Sequence, residues 1–295
     1  MKWRGLRRSA NVEDRRGQRA VRGGASGLRL PIGGKGGLGI VAVLVVAYLL
    51  GGPELVMNLL GGGGVQTPAA VETQPTRAGS RAPVADEGGD FISAILGSTE
   101  DAWGALFDQG GARYQPPILV LFTDAVASAC GYNSAAVGPF YCPPDQKLYI
   151  DLSFFSELAR MGGAGDFAQA YVVGHEVGHH VQNLMGTARS VRARPQQTDQ
   201  QGANRLQVAM ELQADCYAGV WAHHANRDQT LLEPGDVAEG LAAAAAIGDD
   251  TLQRNAGRRV TPEAFTHGTS AQRQSWLERG LKTGDPSACD TFAAR

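Results

Sequence analysis

The chain contains Gly174-His175-Glu176-Val177-Gly178-His179-His180, and this His-Glu-x-x-His stretch constrains the fold more than any other feature. It demands a helix. Residues four apart lie on one helical face, so His175 and His179 can each aim a ring nitrogen at a single point. Two imidazoles at that spacing suit Zn²⁺. Glu176 sits about 100° further round, at the rim of the same point, where a carboxylate can act as general base. The flanks continue the helix: Phe167, Ala170, Tyr171, Gly174, Val177, Gly178, Val181 and Leu184 recur at three- and four-residue steps. Gly174 and Gly178 are poor helix formers, and their place on one side predicts that another backbone packs closely there. The competing reading is an amphipathic helix with exposed histidines.

A third ligand separates the two readings. Glu211-Leu212-Gln213-Ala214-Asp215 begins thirty-two residues after His179, inside a second helical stretch. Glu211 completes a His₂Glu set and leaves a fourth zinc position open, as catalytic sites do. Asp215, one turn on, is placed to accept a hydrogen bond from the second nitrogen of a ligand histidine and fix its tautomer. We therefore expect one Zn²⁺ per chain on His175, His179 and Glu211, supported by Asp215. A structural zinc in a scaffold protein would need a fourth protein ligand, and none is evident. His180 points roughly 100° away from His179, toward a supporting or surface place. His223 and His224 lie too far past Glu211 to join the same metal and read as helix surface.

The formal net charge is only −2, but it is lopsided. Residues 1–35 carry ten Lys/Arg beside Glu13 and Asp14; the remainder carries seventeen basic and twenty-seven acidic residues. A basic arm could bind nucleic acid, but the next segment suggests otherwise. Gly36 to Pro53 is uncharged and contains Ile40-Val-Ala-Val-Leu-Val-Val-Ala-Tyr-Leu-Leu50, at the lower limit for a membrane span. A basic flank before it and an acidic one after predict a cytoplasmic N-terminus and an extracytoplasmic remainder. A cleaved signal peptide is the alternative; its charged region would be long, and no small-x-small site follows the apolar core. The expected order is a basic cytoplasmic segment at 1–35, an anchor at 36–60, a flexible linker at 61–88 and one domain at 89–295. The basic arm then meets anionic lipid, not nucleic acid.

Within the domain, apolar periodicity predicts a helix over 91–106, strands at 118–122 and 147–152, and a helix after Ser153 with Ser153 as its cap. Tyr149–Leu152 is a candidate edge strand for main-chain pairing with extended substrate, or else a plain structural strand. Asp151 reads as structural. Thr198 and Gln201 have capping-box spacing before the second ligand helix, which runs to about Ala225. An Ala-rich helix covers 238–247, and Thr261 and Ser270 begin two more helical stretches. Four cysteines on the outer side make two disulfides the default, with three possible pairings. We expect Cys130–Cys142, closing a short loop, and Cys216–Cys289, stapling the C-terminal tail to the second ligand helix. Zinc binding by the cysteines lacks the usual Cys-x-x-Cys spacing.

These residues resemble a known family. His175–His179 with Glu211 and Ala214-Asp215 resembles the gluzincin arrangement of membrane-linked zinc peptidases. The whole chain resembles the bacterial family described as putative neutral zinc metallopeptidases. The matching stretches include Asn11-Val-Glu-Asp-Arg-Arg-Gly17, Gly138-Pro-Phe-Tyr-Cys142, Tyr149-Ile-Asp-Leu-Ser-Phe-Phe155, the two ligand helices and His267-Gly-Thr-Ser followed by Arg273. The resemblance implies an α+β fold: a mostly helical zincin-like domain with a small β-sheet, preceded by one N-terminal transmembrane helix and a flexible linker, in the bacterial plasma membrane. It implies hydrolysis of peptide or protein substrates with zinc-activated water and Glu176 as base. Thr266-His267-Gly268 with Arg273 resembles a Thr-His-Pro…Arg element of related membrane peptidases, with Gly268 in place of the proline. On that resemblance His267 would donate to the oxyanion; otherwise it caps a helix or lies on the surface. The other open class is a catalytically weak, peptidase-like binding or chaperone protein of the cell envelope.

Overall fold

The structure is a computed structural model that describes residues 1–17, 86–193 and 199–293. Its elements in chain order are β1 (Val12–Asp14), α1 (Glu87–Gln109), β2 (Ile118–Phe122), β3 (Ala125–Ser128), β4 (Gly131–Ser134), β5 (Phe140–Cys142), β6 (Lys147–Asp151), α2 (Ser153–Arg160), α3 (Asp166–Leu184), α4 (Thr187–Ala193), α5 (Gln200–Gln229), α6 (Asp236–Ala246), α7 (Asp249–Asn255) and α8 (Ser270–Thr283). The fold is mostly helical with a small sheet. One four-stranded sheet has the order β1-β2-β6-β5, and β3 and β4 form a separate hairpin. β1, β2 and β6 are parallel, and β5 is antiparallel at the edge. Leu119, Leu121, Leu148 and Ile150 of the sheet join the main core with Ile92, Ile95, Tyr171, Val173 and Trp221 of the helices.

The N-terminal segment is part of this body. Val12, Glu13 and Asp14 pair with Leu119, Val120 and Leu121. Trp3 packs edge-on against Phe91, with ring centroids 5.2 Å apart. Arg8 forms a forked pair with Asp90 at 2.7 and 2.6 Å, and buried Glu100 accepts from Arg7, Ser9 and Asn11. Arg4, Arg7, Arg8, Arg15 and Arg16 thus pair with acids of the domain or of the segment itself. β1 thus lies in one sheet with strands of the predicted 89–295 domain.

The expected transmembrane helix is corrected as well. Among the described residues no helix is long and apolar enough to cross a membrane. The predicted span at 36–60 and nearly all of the linker lie outside the described residues.

Other local expectations change for physical reasons. Of the predicted edge strand Tyr149–Leu152, Tyr149 is enclosed, with Val120 on one side and Phe140 on the other; the β5 ladder ends there, and among the described residues Ile150 and Asp151 pair with β2 alone. The side chain at the start of α2 is Asp151, not Ser153. It accepts from the Ser153 N–H at 2.9 Å and from Asp124 N–H at 2.8 Å, which makes it structural. α5 is capped by Asp199, which accepts from Gly202 N–H at 2.7 Å. α8 has a full capping box between Thr269 and Gln272. Both expected disulfides are present, Cys130–Cys142 and Cys216–Cys289.

The expectation of a close backbone holds at Gly178 and not at Gly174, which faces the Trp221 ring. A Cβ on Gly178 would lie 2.8 Å from Ala214 O and 3.0 Å from Ala214 Cα, so α3 and α5 touch backbone to backbone. That contact sets Glu211 and Asp215 opposite His175 and His179. Gly280 does the same for α8 against α5, where a Cβ would lie 2.0 Å from Cys216 O. Backbone atoms cannot swing aside as a side chain does. Gly178→Ala is therefore expected to cost about 1–3 kcal/mol of stability by overpacking, read as a fall in Tm, and to weaken zinc binding by spreading the two ligand helices.

Candidate metal centre

α3 carries His175, Glu176 and His179, and α5 carries Glu211 and Asp215; all but His179 are less than a tenth exposed. The two imidazole rings stand at 88° with centroids 4.7 Å apart. Their Nε2 atoms converge on one carboxylate oxygen: Glu211 Oε2 lies 3.2 Å from His175 Nε2 and 3.5 Å from His179 Nε2. The ligand atoms of all three residues fall within 4.8 Å of one another. The edge of a tetrahedron with metal–ligand bonds of 2.0–2.1 Å is roughly 3.3 Å, and the two measured N···O separations bracket it. The donor set is also the catalytic one for zinc, two imidazoles and a carboxylate. The residues therefore fit Zn²⁺. His175, His179 and Glu211 converge as the sequence predicts.

What lies behind the ligands fixes their orientation. Asp215 is fully buried, and its Oδ1 accepts from His175 Nδ1 at 2.7 Å and from the Tyr171 hydroxyl at 2.5 Å. Arg273, 2% exposed, donates to both carboxylate oxygens at 2.9 Å and to the Tyr171 hydroxyl at 3.1 Å. Asp215 therefore stays ionised: burial disfavours its charge, and Arg273 and His175 more than offset that, holding its carboxyl below the usual range. On the other side, Gln207 donates to Glu211 Oε1 at 2.8 Å and leaves Oε2 for the ligand position. In the metal-free chain burial opposes a charge on His175, yet Asp215 and Glu211 raise its pKa to about 9.

Other predicted residues take different places. His267 is half exposed on the loop before α8, its Nδ1 held 3.1 Å from Asp249 Oδ1. With the proton on Nδ1 the neutral ring presents Nε2 as an acceptor, so an oxyanion donor would require the imidazolium. His180 is fully buried between Tyr114 and Tyr141, with Nε2 2.7 Å from Gln115 O. The surface reading of His223 and His224 is corrected: their rings hold Leu281 O and Gly284 O at 2.9 and 2.8 Å, tying α5 to the end of α8, and His224 is buried. Arg273 and Gln207 are missing from the predicted site. Arg273 was legible only as part of a resemblance; Gln207, one turn before Glu211, was legible from spacing.

A helix-borne pair of histidines, a glutamate from a second helix and a buried aspartate behind them form a donor set suited to a metal ion. The profile of one family, described as "putative neutral zinc metallopeptidase", matches residues 1–292, and the chain belongs to that family. It is 48% identical to "Uncharacterized protein YpfJ" of Escherichia coli K12, over 99% of each chain. It is 46% identical to "Uncharacterized protein Rv2575" of Mycobacterium tuberculosis H37Rv, over 69% of this chain and 72% of that one. No solved structure matches.

Two outcomes follow from the centre. Arg273→Met leaves the Asp215 charge buried with one partner group fewer and is expected to cost about 3–5 kcal/mol; chemical denaturation of the metal-free and zinc-loaded protein measures it. Zinc must displace protons held by the histidines, so zinc affinity is expected to fall as pH drops from about 9, where His175 titrates. Calorimetry in buffers of different ionisation enthalpy counts the released protons.

Proposed function

We propose that this chain is a zinc-dependent endopeptidase in which Glu176 is the general base. The observation that carries the reading is Glu176 itself. It is 7% exposed, one residue from a ligand, and accepts no hydrogen bond from any described residue, whereas Glu211 and Asp215 are fully engaged. A buried carboxylate without a structural partner beside three convergent donors is a group left free for reaction. Burial raises its pKa, and the charges of His179 and His175 pull it back. A carboxylate so poised takes a proton more readily than an exposed one.

His175 Nε2, His179 Nε2 and Glu211 Oε2 would hold the ion. When bound, Zn²⁺ polarises the scissile carbonyl and lowers the pKa of water toward ~7. Glu176 accepts the proton of the attacking water and then delivers it to the leaving amine. Asp215 and Arg273 keep His175 in one orientation throughout. A groove of about 1220 Å³ lies along α5 between Phe265 and Phe292, but its walls include none of His175, Glu176, His179 and Glu211, so it is not counted as part of the site. A polypeptide is the substrate class that the family supports.

Two disulfides support work in an oxidising compartment. Residues 1–17 then belong in that compartment together with the ligand helices.

Glu176→Gln is expected to retain one zinc per chain and to lose about 10²–10⁴-fold in kcat/KM on any peptide that the wild type cleaves. Metal analysis beside a peptide-library digest, with and without chelator, tests this. Stoichiometric zinc with no cleavage by the wild type would transfer the reading to a binding or chaperone role.

A further inference from the structure

The two ligand histidines are supported by different chemistry. His175 Nδ1 meets a carboxylate. His179 Nδ1 meets an amide oxygen, Gln182 Oε1, at 2.9 Å. That amide is the first of two. Gln182 Nε2 donates to Met210 O at 2.7 Å and to Gln213 Oε1 at 3.1 Å. Gln213 Nε2 donates in turn to Cys289 O at 3.0 Å. Both glutamines are buried, and Cys289 is bonded to Cys216 in a disulfide.

Shape alone does not distinguish the two ends of an amide, but its partners do. Met210 O and Cys289 O are acceptors only, so each must face an NH₂. Gln213 reversed would set oxygen against Cys289 O and NH₂ against the NH₂ of Gln182. Gln182 reversed would set oxygen against Met210 O. Two main-chain carbonyls thus fix the sense of the whole chain. Gln182 Oε1 must face His179 as an acceptor. The neutral ring then carries its proton on Nδ1 and turns the Nε2 lone pair toward Glu211 Oε2.

We propose that Gln182 and Gln213 are positioning residues, a two-amide relay through which the disulfide-anchored C-terminal tail holds His179 in its metal-binding tautomer. The inference rests on the zinc reading of the site. The tail is fixed at a second point, where the Thr291 hydroxyl donates to Ala209 O at 2.6 Å. The relay is neutral, so it holds the ring without adding charge beside Glu176.

The test uses the full chain. Gln182→Met, Gln213→Met and the double variant keep the approximate shape and remove the amides. Each single variant is expected to weaken zinc binding about 10–100-fold in chelator competition, the cost of losing a partner behind a ligand histidine. The double variant is expected to fall no further than the weaker single, because the amides act as one unit. A Gln213→Met protein with wild-type zinc affinity overturns the relay, even if its Tm is lower. If that variant does not fold, the metal-free wild type, at a pH where the His179 ring is neutral, decides by long-range ¹H–¹⁵N correlation of the imidazole nitrogens. A proton on Nδ1 of His179 supports the relay, and a proton on Nε2 overturns it. A wild type that binds no zinc removes the zinc reading. The same spectrum of its neutral His179 ring still supports the relay with Nδ1–H and overturns it with Nε2–H.

Discussion

The buried pair of Asp215 and Arg273 is the interaction on which the centre depends. Neither residue meets solvent, and an isolated charge at that depth would be costly. Together they are tolerable because each oxygen of Asp215 faces a guanidinium N–H and one also receives Tyr171 and His175. The pair joins three helices: α5 supplies the acid, α8 the base, and α3 the two groups that share the acid. Pairs of this kind add little net stability over an apolar core, but removing one partner is severe. What the pair secures is orientation. His175 has one rotamer and one tautomer because Asp215 is ionised and cannot move.

Close packing makes that pair possible. α3 meets α5 at Gly178 and α5 meets α8 at Gly280, in both cases with no room for a Cβ. Helices this close bring short side chains such as Asp215 within reach of groups on two neighbours. The disulfide Cys216–Cys289 lies one residue beyond Asp215 and fastens the tail to the same helix. The ligand histidines consequently differ in support. One rests on a charged network, and the other on neutral amides that end at the tail.

The ligands, the base and Asp215 were legible in the sequence because each depends on helical period. His175, His179, Glu211 and Asp215 lie at intervals of four within two helices, and a helix imposes their direction whatever surrounds it. The glycine contact was legible for a related reason: Gly174 and Gly178 weaken a helix and so need a packing cause. Both disulfide pairings were also foreseen. The N-terminal strand was not. A three-residue strand carries no periodic signal, and its neighbours are arginines that read as a charge run until Asp90 and Glu100 appear opposite them. That strand joins Val12–Asp14 to the sheet of the predicted 89–295 domain. The edge reading of Tyr149–Leu152 fails at Tyr149, where Phe140 of β5 pairs with it, and the ladder stops before Ile150.

The sequence by itself determined which side chains share a helical face and could bind a metal, because local helical geometry suffices for that. Tertiary structure alone decided how those side chains are held. Arg273 reaches Asp215 across 58 residues, and Cys289 reaches Gln213 across 76. Tyr171 OH and Gln182 Oε1 become parts of the site only once α5 and α8 lie against α3. Such partners are chosen by burial and by the need to satisfy every enclosed polar group, conditions that exist only in the folded chain.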